Sequence, residues 1–286
     1  MRFSTPLRYP GGKGKLSYYV KALIEENELL DGHYVEPFAG GAGVALELLY
    51  QEYVQHIHIN DIDPAIFSFW NSCINNTEEL CRLIYDTPVT IDVWKKQKEI
   101  LKNFDGASGD VEQGFAAFFL NRTNRSGILQ AGVIGGKDQQ GEWKLDVRYK
   151  KSDLLKRIEK IARYSNRISA YNLDAVDFLK DASIRLPKKS LFYLDPPYYV
   201  KGQGLYRNFY VHEDHVKVKE ELERSKGLSW IVSYDNAPEI GDIYNKYRRK
   251  VFDLQYTAQI KKIGSEVMIF SDSLAMPEIS LGKIAV

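Results

Sequence analysis

Residues Asp195, Pro196, Pro197 and Tyr198 combine a carboxylate, two rigid rings and an aromatic side chain in one short motif. Asp195 can accept a hydrogen bond from an amino group, and the carbonyl oxygen of Pro196 can accept a second one. Because proline fixes φ and brings no N–H, these acceptors point in defined directions. Tyr198 can stack on a flat ring. The combination suits methylation of an exocyclic amino group on a nucleobase.

A simpler interpretation is a strand followed by a turn of two prolines that happens to end in tyrosine. The preceding run, Leu191 to Leu194, is continuously apolar, as in a strand that is buried on both faces of a parallel sheet. In open α/β sheets, active-site loops follow the carboxyl ends of such strands. We therefore favour the catalytic interpretation.

A glycine-rich turn follows a short predicted strand in the N-terminal part of the sequence. Residues Tyr34 to Glu36 run into Pro37-Phe38-Ala39-Gly40-Gly41-Ala42-Gly43, and the helical run Val44 to Leu49 comes next. Glycines let the backbone approach a ligand without clashes from Cβ. A dinucleotide site favours G-x-G-x-x-G, but Leu46 occupies the third glycine position and would crowd a pyrophosphate. A site for S-adenosylmethionine needs only the close approach, and such sites often carry an acidic residue beside the glycines.

Two aspartates follow the next predicted strand, Val54 to Ile59. An acidic residue at the end of the second strand of such a sheet is placed to bind ribose hydroxyls. Asp63 precedes Pro64 and a helical run, which is the position of a helix N-cap. We therefore predict that Asp61 binds a ligand and that Asp63 caps the helix.

In their order along the chain, these motifs resemble those of the Dam-type DNA adenine N6-methyltransferases, the alpha class. Tyr9-Pro10-Gly11-Gly12-Lys13 comes first, the glycine turn and Asn60-Asp61 follow, and Asp195-Pro196-Pro197-Tyr198 comes last. In that family a target-recognition region separates the cofactor motif from the catalytic motif. The resemblance covers nearly the whole chain. Further matches are Asn121-Arg122, Val176-Asp177-Phe178, Ser233-Tyr234-Asp235-Asn236 and Glu266-Val267-Met268-Ile269-Phe270-Ser271.

The resemblance implies an α/β fold with a Rossmann-like S-adenosylmethionine-dependent methyltransferase sheet and an inserted, mainly helical target-recognition domain. It implies methyl transfer from S-adenosyl-L-methionine to N6 of adenine in duplex DNA, with the base flipped out and without a metal. The catalytic set would be Asp195, Pro196, Pro197 and Tyr198, which would hold the base. The cofactor would be bound by Tyr9, Lys13, Glu36, Phe38, Ala39, Gly40, Gly41, Asp61, Asp177, Phe178 and Asp195.

Four of these residues carry a more specific role by resemblance. Tyr9 and Lys13 would lie beside the methionine part of the cofactor. Asp177 would accept a hydrogen bond from the cofactor's adenine amino group, with Phe178 against the adenine ring. For Asp177 the alternative is an ordinary surface carboxylate on a helix that runs from Asp174 to Lys180.

The charge distribution divides the chain further. We predict a catalytic domain of residues 1–75 and 168–286, and a DNA target-recognition insertion of residues 76–167. The net charge is only +1, but from Asn121 to Arg167 there are twelve Lys and Arg against five Asp and Glu. This asymmetry indicates a face for phosphates, although the solvated side of an amphipathic helix gives the same pattern. The residues predicted to contact DNA are Arg122, Asn124, Arg125, Lys137 and Gln139.

The insertion also departs from the best-known GATC-modifying members of that family. Those carry a Tyr- or Phe-Asn-Gly-Leu-x-Arg-x-Asn run after Asn-Arg, where this chain has Thr123 to Ile128. The resemblance therefore does not extend to a GATC recognition sequence.

The cysteine content and the lack of long apolar stretches fit a protein of a reducing compartment. The N-terminus has no apolar signal run and no stretch is long enough to span a bilayer, so we expect a cytoplasmic protein without a membrane partner. The two cysteines, Cys73 and Cys81, fit that expectation. The segment His212-Glu213-Asp214-His215 contains metal-ligand types, but acids are favourable at a helix N-terminus, so we predict a helix start and no metal site.

Expected partners are double-stranded DNA and, if the enzyme is not solitary, a companion restriction endonuclease. Two other functions stay open: an amino-methyltransferase acting on cytosine N4, RNA or a protein glutamine, and a catalytically silent DNA-binding module. Asp rather than Ser or Asn before Pro-Pro-Tyr weighs against the first, and an intact Asp195 weighs against the second. The glycine-bearing loop from Tyr199 to Arg207 is predicted to close over the flipped base.

Overall fold

The computed structural model describes residues 4–9, 13–103, 109–200, 210–256 and 262–281. Chain contacts divide the protein into two compact units. Unit 1 comprises Met1–Gly12 and Asp61–Asn172, and unit 2 comprises Lys13–Asn60 and Leu173–Val286. These units are defined by contacts, whereas the domains predicted above are defined by function and stay a prediction. Pro10 to Gly12 and the predicted closing loop from residue 201 onward lie outside the described residues.

Helices and strands alternate along most of the described chain. The strands are β1 (Gly32–Glu36), β2 (Val54–Asn60), β3 (Ile168–Tyr171), β4 (Ser190–Leu194), β5 (Ser229–Asp235), β6 (Arg248–Tyr256) and β7 (Lys262–Phe270). The helices are α1 (Ser17–Glu26), α2 (Gly43–Tyr50), α3 (Pro64–Asn75), α4 (Thr77–Asp86), α5 (Ile91–Lys102), α6 (Val111–Thr123), α7 (Lys151–Ala162), α8 (Ala175–Arg185), α9 (His212–Arg224) and α10 (Pro238–Ile243).

Unit 2 is built on a twisted α/β sheet. Its strands lie in the order β2, β1, β4, β5, β7, β6. The first four are parallel, and β7 runs antiparallel between β5 and β6. Every residue of β4 is buried, as its continuous apolar run predicts. The α/β class expected from the sequence is confirmed.

Unit 1 contains a helical bundle centred on α6. This helix is apolar on all sides and packs against α3, α4 and α5. At Gly114 the helix α3 approaches so closely that a Cβ would lie 2.6 Å from the carbonyl oxygen of Ser68. On the same bundle, the rings of Phe118 and Phe69 stack with centroids 5.7 Å apart. A substituent at position 114 would therefore force α3 and α6 apart.

The start of α3 follows the sequence prediction. Asp63 is the N-cap, its side chain accepts a hydrogen bond of 3.0 Å from the N–H of Ala65, and Pro64 occupies the first helical turn. The predicted capping role of Asp63 is confirmed. Likewise, α9 begins at His212, so the segment His212 to His215 forms a helix start as predicted.

Three histidines lie together on one face of β1 and β2. His33 and His56 are opposite each other in the strand register, and His58 lies two residues further along β2. The Nδ1 atom of His33 is 2.9 Å from the Nε2 atom of His58, and the ring centroids of His56 and His58 are 4.7 Å apart. The arrangement favours neutral imidazoles, because three like charges would repel at these distances.

Protonation of His58 therefore opposes folding. Burial lowers the pKa of His58 to about 3, and the nearby His56, His33 and Arg185 add to the shift. The unfolded chain binds this proton first as the pH falls, because an unfolded histidine titrates near pH 6.5. Stability is thus fully present above pH 6.5 and decreases towards pH 3, by up to ~1.4 kcal/mol per pH unit for this one group.

We expect His58→Gln to reduce the loss of unfolding free energy between about pH 7 and pH 5. Part of the pH dependence should persist, since burial also lowers the pKa of His215, to about 4. Urea unfolding at the two pH values measures the difference. His212→Gln, on an exposed residue at the start of α9, is the matched control and should retain the wild-type slope. An unchanged slope in His58→Gln would contradict the assignment.

Candidate active site

The glycine turn and the Asp-Pro-Pro-Tyr motif lie at the same edge of the sheet in unit 2. Strands β1 and β4 are parallel neighbours, with Tyr34 opposite Leu191 and Val35 opposite Phe192. The turn after β1 and the motif after β4 therefore leave the sheet in the same direction. Asp195 follows β4 immediately, and its side chain is 28% exposed, so it faces the edge rather than the interior.

The glycine turn is tightly folded. The N–H of Ala39 donates to the carbonyl oxygen of Asn60 at the end of β2 over 2.9 Å, and the N–H of Ala42 donates to Ala39 over 2.7 Å. Gly40 has φ +47°, which glycine adopts without strain. Ala42 has φ +45°, an uncommon conformation for a residue with a Cβ. The turn thus places a strained backbone of small residues directly before α2, which begins at Gly43.

Glu36 is the last residue of β1, directly before this turn, and its side chain is buried. Its Oε1 atom accepts hydrogen bonds of 3.1 Å from the hydroxyl of Tyr34 and from the N–H of Ala45. Burial raises the pKa of Glu36 to about 8, even though both hydrogen bonds act in the opposite direction. In this structure Glu36 joins β1 to α2, and the predicted cofactor contact of Glu36 stays a prediction.

The Asp195 carboxylate is held through one of its oxygens. Its Oδ1 atom accepts hydrogen bonds from the Lys13 Nζ atom at 2.9 Å and from the Ser233 Oγ atom at 2.7 Å. The hydroxyl of Tyr193 donates in turn to Ser233 Oγ over 3.2 Å. Asp195 is therefore oriented by a cation and by a chain of two hydroxyls.

Lys13 is the cation of a buried cluster. Besides Asp195, its Nζ atom lies 3.4 Å from Glu266 Oε2 and donates to the Tyr198 hydroxyl oxygen at 3.0 Å. The Tyr198 hydroxyl donates to Glu266 Oε1 over 2.6 Å. Burial lowers the pKa of Lys13, but the attraction of Asp195, together with that of Tyr198 and Glu266, outweighs burial and raises the pKa well above its usual value. Lys13 therefore stays charged in this cluster.

Tyr198 is fixed by the same cluster. The residue is only 4% exposed, and Lys13 Nζ lies 4.9 Å from the centroid of its ring. Pro196 is buried and Pro197 is half-buried. The predicted stacking of Tyr198 on a base stays a prediction, because this geometry presents the tyrosine as a hydrogen-bonding group.

The remaining residues predicted to bind the cofactor have varied surroundings. In unit 2, Phe38 meets the ring of Tyr210 edge to face, with centroids 5.7 Å apart. Phe178 is fully buried on α8, whereas Asp177 is 68% exposed and forms an ion pair of 3.0 Å with Lys180. That environment matches the surface alternative for Asp177, and its cofactor role stays a prediction.

Asp61 and Tyr9 belong to unit 1. The Oδ1 atom of Asp61 accepts a hydrogen bond of 2.9 Å from the N–H of Asp63, and the N–H of Asp61 donates to the carbonyl oxygen of Tyr171 over 3.2 Å. Asn172 Nδ2 also donates to the Asp61 carbonyl oxygen at 2.7 Å. These contacts fix the backbone on which Asp61 is carried.

The DNA-contact residues predicted in unit 1 fall into two groups. Arg125 and Lys137 are exposed. Asn124 is fully buried: its Oδ1 atom accepts from the Trp94 Nε1 atom at 2.7 Å, and its Nδ2 atom donates to the carbonyl oxygens of Ile128 and Leu129. On this geometry Asn124 shapes the loop that carries Arg125, and the predicted DNA contact of Asn124 stays a prediction.

Gln139 and Arg122 also make internal hydrogen bonds. Gln139 Nε2 donates to the carbonyl oxygens of Ile134 and Gly136 at 2.8 and 2.6 Å, and its Oε1 accepts from the N–H of Leu145. Arg122 Nε donates to the carbonyl oxygen of Arg148 at 2.8 Å. These side chains brace the loops of unit 1, and their predicted DNA contacts stay predictions.

Four polar residues of the site received no role from the sequence. They are the hydrogen-bonding groups around the catalytic motif, and three of them lie in segments that the family resemblance had already matched. Each of them lies on one of the strands β4, β5 and β7, and a polar residue within a predicted strand is the sequence feature that they share. The residues are Tyr193, Ser233, Asp235 and Glu266.

The described part of the chain has neither a metal-ligand cluster nor a membrane-spanning helix. Among those residues there is no group of three or more His, Cys, Asp or Glu side chains arranged to hold a metal ion. Within the same residues, none of the helices has the length and apolar character needed to cross a bilayer.

An α/β sheet with four parallel strands, an aspartate and a small-residue turn at one edge is the arrangement of a Rossmann-like methyltransferase. A model of the family described as D12 class N6 adenine-specific DNA methyltransferase matches residues 9–258. The chain belongs to this family, which confirms the resemblance seen in the sequence motifs. It is an adenine-specific DNA methyltransferase, and DNA is its substrate.

Individual relatives agree with the family. The Type II methyltransferase M1.LlaDCHI of Lactococcus lactis subsp. cremoris is 24% identical over 260 residues, which cover 84% of each protein. The Type II methyltransferase M.MjaIII of Methanocaldococcus jannaschii is 26% identical over 213 residues, covering 67% of this chain and 68% of the relative. Among solved structures, the rRNA methyltransferase aviRa from Streptomyces viridochromogenes is similar over 93% of this chain and 86% of its own, at 10% identity and with a TM-score of 0.38.

Proposed function

We propose that this enzyme transfers a methyl group from S-adenosyl-L-methionine to N6 of adenine within a specific sequence of duplex DNA, after the adenine has left the base stack. The observation that carries this proposal is the shared edge of β1 and β4. There the strained turn from Ala39 to Ala42 and the carboxylate of Asp195 stand side by side on neighbouring strands. The family membership supports the choice of adenine N6.

The residues at this edge fit S-adenosylmethionine. The turn is made of small residues, and its positive φ at Gly40 and Ala42 keeps the backbone close to the sheet edge. Strain of this kind is common where a backbone is shaped for a ligand. Phe38 adds a half-buried aromatic ring beside the turn. When bound, the cofactor supplies a methyl group on a sulfonium sulfur that leaves as a neutral thioether with the electron pair of the broken bond.

The chain's own contribution centres on the amino group of the target adenine. That nitrogen is a poor nucleophile because its lone pair is delocalised into the ring. The Asp195 carboxylate accepts one of its hydrogens and the Pro196 carbonyl accepts the other, which favours a pyramidal nitrogen with a free lone pair. Positive charge then develops on the nitrogen as the new N–C bond forms, and a fixed carboxylate stabilises it. The extra proton leaves the product nitrogen to solvent.

The position of Asp195 supports the proposal that the base is flipped out. The carboxylate lies directly at a strand end and its side chain is largely covered, so a base inside a duplex cannot place its amino group there. Extruding the base costs about a few kcal/mol. Stacking on an aromatic ring such as Tyr198 would return roughly 1–3 kcal/mol.

DNA would be held by the exposed basic residues of unit 1. Arg125 follows the short bridge between Asn124 and Val133, and its own N–H is tied to the Gly132 carbonyl oxygen over 3.0 Å. An arginine on a braced loop is suited to phosphate or base-edge contacts. Lys137 is exposed and adds a second cation in the same segment.

We expect Arg125→Ala to weaken DNA binding and to lower the slope of log affinity against log salt by about one, as for the loss of one phosphate contact. Arg122→Ala should instead lower the free energy of unfolding, because Arg122 holds the carbonyl oxygens of Arg148 and Pro6. Fluorescence anisotropy over a salt series and urea unfolding separate the two effects. Similar DNA-binding losses in both variants would contradict this division of roles.

One assay tests the function as a whole. Tritiated S-adenosylmethionine is incubated with the protein and duplex DNA, and the nucleosides are then separated. We expect label in N6-methyladenine of the DNA. Label only in N4-methylcytosine, only in RNA, or in no acceptor at all would reject the proposal and favour another amino-methyltransferase or a silent DNA-binding protein.

The relatives named as Type II methyltransferases support a pairing with a restriction enzyme. We therefore include a companion restriction endonuclease in the proposal. Long-read sequencing of a host that expresses the gene would identify the methylated sequence, and a nuclease that is blocked by that methylation would identify the companion.

A further inference from the structure

Strand β5 contacts the catalytic segment at two points. Ser233 Oγ donates to Asp195 Oδ1 at 2.7 Å. Asp235, two residues further along the same face of β5, accepts hydrogen bonds from the N–H of Tyr199 at 2.8 Å and from the N–H of Val200 at 3.0 Å. Both β5 residues are buried. The segment from Asp195 to Val200 is therefore fastened at its first residue and at its last two residues.

The position of the second contact follows from the two prolines. Pro196 and Pro197 have no N–H, so a carboxylate cannot hold the backbone there. Asp235 uses the N–H groups of Tyr199 and Val200, which come soon after the prolines. Each of the two carboxylate oxygens of Asp235 accepts from a different N–H. The contact therefore defines the orientation of the backbone as well as its position.

The hydroxyl hydrogen of Ser233 also points in a defined direction. Tyr193 donates its hydroxyl hydrogen to Ser233 Oγ over 3.2 Å, so Ser233 can turn its own hydrogen to Asp195. Lys13 donates to the same Asp195 oxygen at 2.9 Å. Asp195 Oδ1 thus has two donors, whereas no donor from the described residues contacts Asp195 Oδ2. The torsion angle that rotates an aspartate carboxylate is otherwise broadly distributed, so these hydrogen bonds select one rotation of the group.

We propose that Ser233 and Asp235 are positioning residues for methyl transfer, which fix Asp195 so that its Oδ2 atom accepts the hydrogen of the adenine amino group. This inference rests on the function proposed above. Ser233 acts on the carboxylate itself, and Asp235 acts on the backbone that follows the Pro-Pro pair. Tyr193 acts one step further away, through Ser233.

Single-turnover kinetics test the proposal in the full-length protein. We expect Ser233→Ala and Asp235→Asn each to slow methyl transfer by at least about tenfold, since small misplacements of catalytic groups are costly. The KM for DNA and the dissociation constant for S-adenosylmethionine should stay within about twofold, because neither residue is assigned to binding. Tyr193→Phe should cost less, and adding it to Ser233→Ala should cause no further loss.

Amide hydrogen exchange gives a readout that is independent of activity. In Asp235→Asn one carboxylate oxygen becomes an NH₂ group, so the N–H groups of Tyr199 and Val200 should exchange faster by about tenfold or more. Asp242→Asn and Ser183→Ala, on α10 and α8, are matched controls for the charge change and the hydroxyl loss, because no described hydrogen bond joins either side chain to the motif. Both should match the wild type in rate and in exchange.

Each result then decides one question. Transfer rates within twofold of the wild type in folded Ser233→Ala and Asp235→Asn would overturn the inference, as would unchanged exchange at Tyr199 and Val200. If Asp235→Asn does not fold, the Ser233→Ala and Tyr193→Phe cycle decides alone. A wild-type protein that methylates no DNA would reject the proposed function, and the exchange experiment would still test how β5 holds the segment.

Discussion

Asp195→Ala should lower the rate of DNA methylation by about 10³-fold or more, the scale expected when a preorganised charge at the reacting group is removed. Asp195→Asn should be nearly as slow, because the amide has no charge and offers one acceptor oxygen instead of two. In both variants Lys13 keeps Glu266 as a partner, at 3.4 Å in the wild type, so the cluster retains an ion pair. We therefore expect both variants to lose methylation rate and to keep most of their folding stability.

The measurement combines single-turnover transfer of tritium with calorimetric titration of S-adenosylmethionine. We expect the dissociation constant for the cofactor to change only a few-fold, since the small-residue turn after β1 is untouched. Asp242→Asn again serves as the control for a lost carboxylate. Wild-type turnover in Asp195→Ala would remove the central role assigned to this residue.

Lys13→Met should destabilise the protein by about 3 kcal/mol, the scale seen when a buried ion loses its partner. The methionine fills a similar volume, so the main loss is electrostatic. Glu266 carries most of the cost, because its side chain is 1% exposed whereas that of Asp195 is 28% exposed and can be solvated. The double variant Lys13→Met/Glu266→Gln should recover much of the lost stability.

Urea unfolding of the wild type, the two single variants and the double variant forms a double-mutant cycle. The cycle isolates the coupling free energy between Lys13 and Glu266. Lys180→Met removes an exposed ion pair with Asp177 on α8 and should change the stability little. If the double variant is as unstable as the two single losses added together, Lys13 and Glu266 do not act as a pair.

The parts of the site that the sequence predicts are those that follow buried strands directly. A continuous apolar run marks β4 and a shorter predicted strand precedes the glycine turn, and the residues that directly follow parallel strands lie at the carboxyl edge of the sheet. Helix signals were equally local: Asp63 before Pro64 predicts an N-cap, and the structure confirms it. The α/β fold and the family could therefore be predicted without coordinates.

The residues that orient Asp195 could not be assigned in the same way. Glu266 joins the site only because β7 pairs antiparallel with β5 and places Glu266 opposite Asp235. Strand register depends on long-range packing, and no nearby residue in the sequence specifies it. Glu266 also lies beyond residue 258, where the family match ends.

Polar residues of the irregular loops were hard to assign for a related reason. Asn124 and Gln139 have the donors and acceptors of base-reading residues, and the sequence therefore favours DNA contacts for them. The same groups can satisfy loop carbonyls and N–H groups that no sheet or helix pairs. The structure shows that second use for both side chains, and residue type alone cannot distinguish the two.

The cluster around Lys13 draws its members from positions that are far apart in the sequence. Lys13 leaves the ribosome before the Asp195 motif, and Glu266 leaves after that motif. A nascent chain that already displays the methylation motif thus still lacks the carboxylate that receives the Tyr198 hydroxyl. Competence for catalysis is therefore acquired only after Glu266 on β7 has been synthesised, so chains released before that point should not modify the genome.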